Sequence, residues 1–202
     1  MISDPRCRGS RLSGTSVVGG CVSGIAFRLM AAMFRLRDTI RPPEAMLTPM
    51  GIEEGMAVVD YGCGPGSYLH AASARAGDHG RIYAVDINEL AIAAVSRRIE
   101  REGLGNVTAV LAHGYDSGLP DGTADLVYAL DMVHQVDNPR AFLTELRRIA
   151  KPDGTLIIDD GHLPRETTRS LIERSPAWVI VEETAAFLRC RPVADDRTTC
   201  TA

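Results

Sequence analysis

The sequence predicts a doubly wound α/β fold, in which helices cover both faces of a mostly parallel, seven-stranded sheet. Three observations support this prediction. Short apolar runs typical of buried strands alternate with longer segments of helical periodicity. A glycine-rich turn follows the first of these runs directly, as at a strand-to-helix junction. The last two apolar runs have no helix between them, which predicts an antiparallel hairpin at the C-terminal edge of the sheet.

The elements follow from the periodicity and from the turn residues between them. Helices are expected at residues 24–36, 44–50, 68–76, 89–102, 139–150 and 166–174. Strands are expected at residues 57–61, 81–85, 107–112, 125–130, 155–159, 178–183 and 185–190. Gly103 ends one helix, and a turn at Lys151–Gly154 is expected to precede the fifth strand.

These elements divide the chain into four stretches. Residues 1–22 are rich in glycine, serine and arginine without periodicity, so we expect a disordered tail. Residues 23–50 are expected to form a helical lid, residues 51–192 the α/β domain, and residues 193–202 a second tail.

The composition is that of one ordinary globular domain. The chain has 202 residues, of which 45% are hydrophobic and 24% charged, enough for a core of its own. The formal net charge of −4 argues against nucleic-acid binding. We interpret the basic run Arg28, Arg35, Arg37 and Arg41 as a solvated helix face. The five cysteines match neither a disulfide framework nor a zinc pattern, and no apolar run is long enough to span a bilayer. We therefore expect a cytoplasmic protein with reduced thiols.

The segment Asp60–Gly66 carries the predicted chemistry. Its glycines allow a sharp turn and let a ligand approach without a Cβ in the way, and the next helix offers free N–H groups. The spacing is shorter than the G-x-G-x-x-G of dinucleotide sites. Asp86 follows the second strand, where an acid can bind both hydroxyls of a ribose. The alternative for Asp86 is a helix N-cap, but Asn88 is better placed for capping.

These motifs together resemble the class I S-adenosylmethionine-dependent methyltransferases, over roughly Gly51–Pro192. Ala124–His134 is similar to the family's fourth motif, and Leu146–Leu156 to the turn before its fifth strand. The resemblance implies a Rossmann-like fold, S-adenosylmethionine as the cofactor and a small-molecule methyl acceptor. The cofactor-binding residues that it implies are Asp60, Gly62, Cys63, Gly64, Gly66, Asp86, Ile87, Tyr115, Asp116 and Leu130.

The resemblance also assigns roles within this set. The three glycines would cradle the methionine end of the cofactor, Asp86 would hold the ribose, and Ile87 would pack on the adenine. Cys63 is expected to pack inside the loop rather than to react. The sequence departs from the family at Gly114, where an Asp usually bonds the adenine amine. Asp116 is the expected substitute, with Tyr115 lining the pocket.

The catalytic candidates follow the fourth and fifth strands. Methyl transfer from a sulfonium is an in-line displacement, so positioning supplies much of the catalysis, and a base is needed only for a protonated acceptor. His134 is the first candidate for a base or an acceptor contact, with packing at the rim as an equal alternative. Asp131 is the second candidate, and His162 is a weaker one.

A metal is not among the expected cofactors, although the acids at these strand ends suggest one alternative. Asp131, Asp159 and Asp160 are reminiscent of the magnesium site in catechol-type O-methyltransferases. Acids at strand ends also commonly cap the next turn.

Two other function classes remain open. An NAD-dependent oxidoreductase would need G-x-G-x-x-G spacing and a second nucleotide-binding half. The third possibility is a non-catalytic binding subunit that retains the fold, because Gly114 stands where the family usually has an Asp. No nucleic-acid or membrane partner is expected, and the oligomeric state is not predicted.

Overall fold

Seven strands and six α-helices follow one another along residues 24–193, the part of the chain that the computed structural model describes. The helices are α1 (Gly24–Ile40), α2 (Pro43–Leu47), α3 (Leu69–Ala76), α4 (Glu89–Glu102), α5 (Pro139–Ile149) and α6 (Arg165–Glu173). The strands are β1 (Ala57–Tyr61), β2 (Arg81–Asp86), β3 (Val107–Leu111), β4 (Ala124–Ala129), β5 (Ala150–Ile158), β6 (Trp178–Glu183) and β7 (Leu188–Pro192). Short 3₁₀ turns lie at Thr48–Met50 and Val133–Gln135. The tail predicted at residues 1–22 lies outside the described residues, and so does the tail predicted at residues 193–202 except for its first residue.

The strands form one sheet in the order β3–β2–β1–β4–β5–β7–β6. Strands β1 to β5 pair in parallel, whereas β7 runs antiparallel to both β5 and β6. The predicted fold class, including the antiparallel hairpin at the C-terminal edge, is therefore confirmed. The strand order reverses between β1 and β4, and open α/β sheets bind ligands at such a point, beyond the carboxyl ends of the strands.

Apolar side chains cover both faces of the sheet, as helices on both sides require. On one face, α5 buries Phe142, Leu146 and Ile149, whose spacing places them on one side of the helix. On the other face, Leu69 of α3 and Val95 of α4 are fully buried. This packing fixes the strand ends from which the site residues emerge.

Two predicted boundaries at the C-terminal side of the sheet are wrong. Strand β5 begins at Ala150 because Ala150 pairs with Ala124, and the register then shifts before Leu126 pairs with Thr155. The predicted turn at Lys151–Gly154 is therefore an irregularity inside a strand. Strand β7 begins at Leu188 rather than at Ala185. The Thr184 hydroxyl accepts the N–H of Phe187 at 3.0 Å, and this contact forms the hairpin turn.

Helix α1 packs with a different side from the one that its apolar pattern predicts. Its predicted apolar face is largely exposed: Ile25, Leu29, Met33 and Leu36 are 62–82% accessible. The buried contact comes instead from Phe27, and Phe34 is half-buried. Within residues 24–193, no helix is both long enough and apolar enough to cross a membrane.

Candidate active site

The glycine-rich loop between β1 and α3 is closely packed. Gly62, Gly64 and Gly66 all have positive φ angles, which side chains disfavour. A Cβ at Gly62 would lie 2.9 Å from Cγ of Met132, so the loop after β4 approaches this turn directly. The N–H groups of Gly62 and Cys63 both donate to the carbonyl of Val85, at 2.8 and 3.0 Å. The sequence thus brings the ends of β1, β2 and β4 together around one turn.

Asp86 fixes this loop through its carboxylate. Its Oδ2 accepts the N–H of Gly64 at 2.9 Å, and its Oδ1 accepts the N–H of Asn88 at 2.8 Å. Asn88, not Asp86, caps α4, because its side chain accepts the N–H of Leu90. Burial raises the pKa of Asp86. Next to it Ile87 is 41% exposed, which leaves an apolar surface for a ligand beside the carboxylate.

Asp60 is a buried carboxyl group that lacks full hydrogen bonding. The residue is 2% exposed, and the Tyr128 hydroxyl is the side-chain group that interacts with its carboxyl group, but neither this hydroxyl nor Oδ2 of Asp60 has a hydrogen bond of full geometry among the described residues. Burial raises the pKa of Asp60 to about 8; the neighbouring Tyr128 hydroxyl opposes this rise and the negative charge of Asp86 adds to it. An isolated buried carboxylate is unfavourable, so Asp60 suits a ligand that brings a positive charge.

Cys63 and Leu130 are buried at this edge of the sheet. Burial raises the pKa of the Cys63 thiol well above its usual range, with further contributions from Asp60 and Asp86. The thiol therefore stays protonated and is a poor nucleophile, in keeping with the packing role expected for it.

Tyr115 and Asp116 lie on the side of the sheet covered by α5. The Tyr115 hydroxyl accepts the N–H of Asn138 at 2.9 Å, and its ring packs against Phe142. Asp116 is exposed, and its Oδ1 accepts the N–H of Gly118. The contacts of both side chains are with residues outside the glycine-rich loop. Their roles in adenine binding therefore remain predictions without supporting contacts.

The loops after β4 and β5 are joined by Asp131 and Asp159. Asp131 is the one described non-glycine residue with a positive φ, 55°. Its N–H donates to Oδ1 of Asp159 at 2.8 Å, and the same oxygen accepts the N–H of Gly161 at 3.1 Å. Burial raises the pKa of Asp159. Asp159 thus holds the two loops together.

Two histidines complete this end of the site. The rings of His134 and His162 meet edge to face with centroids 4.6 Å apart, and Nε2 of His162 lies 3.8 Å from Oδ1 of Asp131. Nδ1 of His134 is buried and has no hydrogen-bond partner among the described residues. Burial lowers the pKa of His134, and the nearby His162 lowers it further. The negative charge of Asp131 opposes this shift, and the lowered pKa favours the neutral ring, the form that can accept a proton.

The three acids of the magnesium alternative do not converge. Asp160 forms an ion pair with Arg165, whose Nε lies 2.7 Å from Oδ2. One carboxylate oxygen of Asp159 already accepts hydrogen bonds from the two backbone N–H groups described above. Among the residues that the structure describes, the cluster suited to a metal is instead Asp131, His134 and His162.

Helix α1 lies over the loops of the site. A Cβ at Gly64 would lie 3.7 Å from the Phe34 ring. The Arg37 guanidinium lies 4.5 Å from the centroid of that ring, and its Nη1 donates to Oδ2 of Asp131 at 3.2 Å. The prediction that Arg37 is only solvated is therefore wrong, whereas Arg28 and Arg41 are exposed as expected. The Arg35 side chain lies outside the described parts.

A groove of about 650 Å³ separates α1 from α4 and opens beside the glycine loop at Pro65 and Ser67. Arg97 and Arg98 of α4 line its far wall. Arg98 also donates to the carbonyl of Gly66 at 2.7 Å, so it ties α4 to the end of the loop.

Comparisons with known proteins show which kind of domain this chain resembles. Residues 59–158 match a family model described as a methyltransferase domain. The ubiquinone/menaquinone biosynthesis C-methyltransferase UbiE of Hydrogenovibrio crunogenus is 34% identical over 109 residues, which are 54% of this chain and 43% of that protein. Nocamycin O-methyltransferase of Saccharothrix syringae is 31% identical over 102 residues, 50% of this chain and 36% of that protein. The chain thus spans less than half the length of these two relatives. A crystal structure of an S-adenosylmethionine-dependent methyltransferase from Aquifex aeolicus aligns with a TM-score of 0.68 and 28% identity, over 75% of this chain and 90% of that one.

Proposed function

Because the chain belongs to the class I S-adenosylmethionine-dependent methyltransferase family, we propose that it transfers the methyl group of S-adenosylmethionine to a small-molecule acceptor by in-line displacement. The family assignment argues against the NAD-dependent oxidoreductase. The single observation that carries the proposal is Asp60, a buried carboxyl group with an unpartnered oxygen beside the glycine-rich loop.

Asp60 suits the methionine end of this cofactor. That end carries an ammonium group, and an opposite charge within a few ångströms stabilises a buried carboxylate. The ammonium would satisfy Oδ2 of Asp60, which has no hydrogen-bond partner among the described residues. The glycines next to Asp60 support the same assignment, because Gly62 and Gly64 carry no side chain and let the backbone of the turn approach a ligand closely.

Asp86 and Ile87 suit the ribose and the adenine. Each oxygen of Asp86 already accepts one backbone N–H, and each keeps a second lone pair for a hydroxyl. These backbone bonds also orient the carboxylate in advance. The exposed Ile87 side chain offers the apolar surface that a planar base needs.

The acceptor is expected at the ends of β4 and β5. Met132 packs against Gly62, so the neighbouring Asp131 and His134 lie next to the loop that would hold the cofactor. The neutral His134 would take a proton from an acceptor that arrives protonated. Helix α1 would act as the lid, because Phe34 and Arg37 lie over the same loops. The names of the two relatives, which refer to quinones and to nocamycin, support a small molecule as acceptor.

Calorimetric titration with S-adenosylmethionine, S-adenosylhomocysteine and NAD tests this function. Micromolar binding of the two adenosyl ligands but not of NAD is expected. Asp86→Ala should weaken it roughly tenfold to a hundredfold, since a hydrogen bond to a charged group contributes about 1.5–3 kcal/mol. Asp78→Ala, which removes an exposed acid before β2, should leave the affinity unchanged.

Two outcomes would contradict the proposal. A folded protein that binds neither adenosyl ligand would support the non-catalytic subunit suggested by Gly114. A protein that binds the cofactor but transfers no methyl group to any of a panel of phenols, quinols and amines would support the same alternative. Circular dichroism of both variants separates loss of binding from loss of folding.

A further inference from the structure

We propose that Asp131, His134 and His162 form a binding site for one divalent transition-metal ion at the carboxyl edge of β4 and β5. One ligand atom from each residue lies within 4.8 Å of the others. Two imidazoles and one carboxylate are the ligand set typical of zinc and of non-haem iron. The proposal rests on this geometry alone and does not depend on methyl transfer.

The topology brings the three side chains together. Asp131 and His134 belong to the loop after β4, and His162 belongs to the loop after β5. The two strands are neighbours in parallel register up to the pair Ala129 and Ile158, so the loops leave the sheet side by side. The shared bonds to Asp159 then hold the two loops in contact.

The two oxygens of Asp131 face different partners. Oδ2 accepts from Arg37 at 3.2 Å, whereas Oδ1 faces Nε2 of His162 at 3.8 Å. Ligand atoms about 2.1 Å from a zinc ion lie about 3.4 Å apart in a tetrahedral site. The gap between Oδ1 and Nε2 is thus close to the separation that a shared ion requires. Arg37 can stay bonded to Oδ2 of Asp131 while the ion binds Oδ1.

His134 contributes a ring whose buried nitrogen is unsatisfied. Its Nδ1 has no hydrogen-bond partner in residues 24–193, and a Cβ at Gly161 would lie 2.6 Å from this atom. The absence of a side chain at Gly161 therefore makes room for the imidazole.

The chemistry favours a transition metal over magnesium. Magnesium prefers oxygen ligands, and the nearby oxygen donor Asp160 is occupied by Arg165. Imidazole nitrogens suit zinc, iron, copper and nickel instead. Three protein ligands leave coordination positions open, and His162 is largely exposed, so the ion would be accessible to water or to an oxygen atom of an acceptor.

The full chain, free of any affinity tag and stripped with a chelator, is titrated with Zn²⁺ by calorimetry and with Co²⁺ by visible absorption. One ion per chain is expected, and Co²⁺ should show the absorption bands of nitrogen coordination. His134→Ala and His162→Ala should each weaken binding by about tenfold or more. His79→Ala is the control, because this exposed histidine precedes β2 at the opposite edge of the sheet.

The binding of S-adenosylmethionine to His162→Ala is measured in parallel. Unchanged cofactor affinity together with weakened Zn²⁺ affinity would support a separate metal site in a folded protein. The proposal is overturned if neither ion binds saturably, or if His162→Ala and His134→Ala bind Zn²⁺ as tightly as the unsubstituted chain. Loss of Zn²⁺ binding in His79→Ala would also overturn it, since the ion would then lie elsewhere.

Discussion

Binding of a cationic cofactor group to Asp60 should release a proton. Burial raises the pKa of this carboxyl group to about 8, so at pH 7 about nine molecules in ten hold the proton before the ligand arrives. The ammonium group of S-adenosylmethionine favours the ionised form. Binding at pH 7 should therefore release about 0.9 proton from Asp60, and the part of the affinity that depends on this group should rise nearly tenfold between pH 6 and pH 7, about fivefold more by pH 8, and level off above pH 8.

Calorimetry in two buffers of different ionisation enthalpy measures this release. The difference between the two binding enthalpies, divided by the difference between the two ionisation enthalpies, gives the number of protons. Asp60→Asn keeps the shape of the side chain and should abolish most of the release. Equal binding enthalpies in the two buffers for the unsubstituted chain would refute the reasoning, because Asp60 would then not ionise when the cofactor binds.

The same substitution has a predicted effect on stability. The folded-state pKa of Asp60 lies above its unfolded value of 3.8, so the stability that it contributes is present below pH 3.8 and is lost as the pH rises towards about 8. Asp60→Asn should thus raise the melting temperature of the ligand-free protein at pH 8 and change it little at pH 4. Equal melting temperatures at pH 8 would mean that Asp60 ionises without cost in the folded protein.

Two further perturbations test the loop and the lid. Gly62→Ala should lower the free energy of unfolding by about 1–2 kcal/mol because of its positive φ, and it should also weaken cofactor binding because the new Cβ displaces Met132. Gly122 also has a positive φ, but no atom lies within 4 Å of the position of a Cβ there. Gly122→Ala should therefore show only the loss of stability. Similar cofactor affinities in these two variants, measured by calorimetry, would contradict the contact argument. Arg37→Ala should cost less than about 1 kcal/mol, since Arg37 and Asp131 are 30% and 29% exposed, but should speed amide exchange in α1. If the amides of α1 exchange no faster in Arg37→Ala than in Arg41→Ala, Arg37 does not hold α1 over the site.

The sequence predicts the fold well because its signals are local. Strand β1, the glycine-rich turn and α3 follow directly from an apolar run, positive-φ glycines and helical spacing. The start of β5 was missed because Lys151–Gly154 has the composition of a turn. What keeps this stretch in the sheet is the pairing of Ala150 with Ala124, a contact between distant residues that no local pattern encodes.

The sequence predicts the residues of the candidate cofactor site but not the contacts that these residues make. Asp60 and Asp86 stand out by their positions around the glycine-rich loop, yet the missing hydrogen bond of Asp60 depends on the surrounding core. Arg37 lies 94 residues before Asp131, so their ion pair is visible only in the structure. The spacing of Phe34 and Arg37, three residues apart on one helix face, was the available indication that this arginine faces the domain.

Two features at this edge of the sheet are unfavourable for folding, and both have better explanations in binding than in packing. A fully buried carboxyl group without a hydrogen bond of full geometry at Oδ2 destabilises the native state when it is ionised, and an apolar residue at position 60 would avoid that loss. Asp131 adopts a left-handed backbone conformation, which Asp tolerates but glycine adopts more easily. Strain of this kind concentrates at sites where ligands bind. The two acids lie at the ends of β1 and β4, the neighbouring strands between which the sheet order reverses. A chain under selection for stability alone would retain neither, so their joint presence supports a cofactor at Asp60 and an acceptor or metal ion at Asp131.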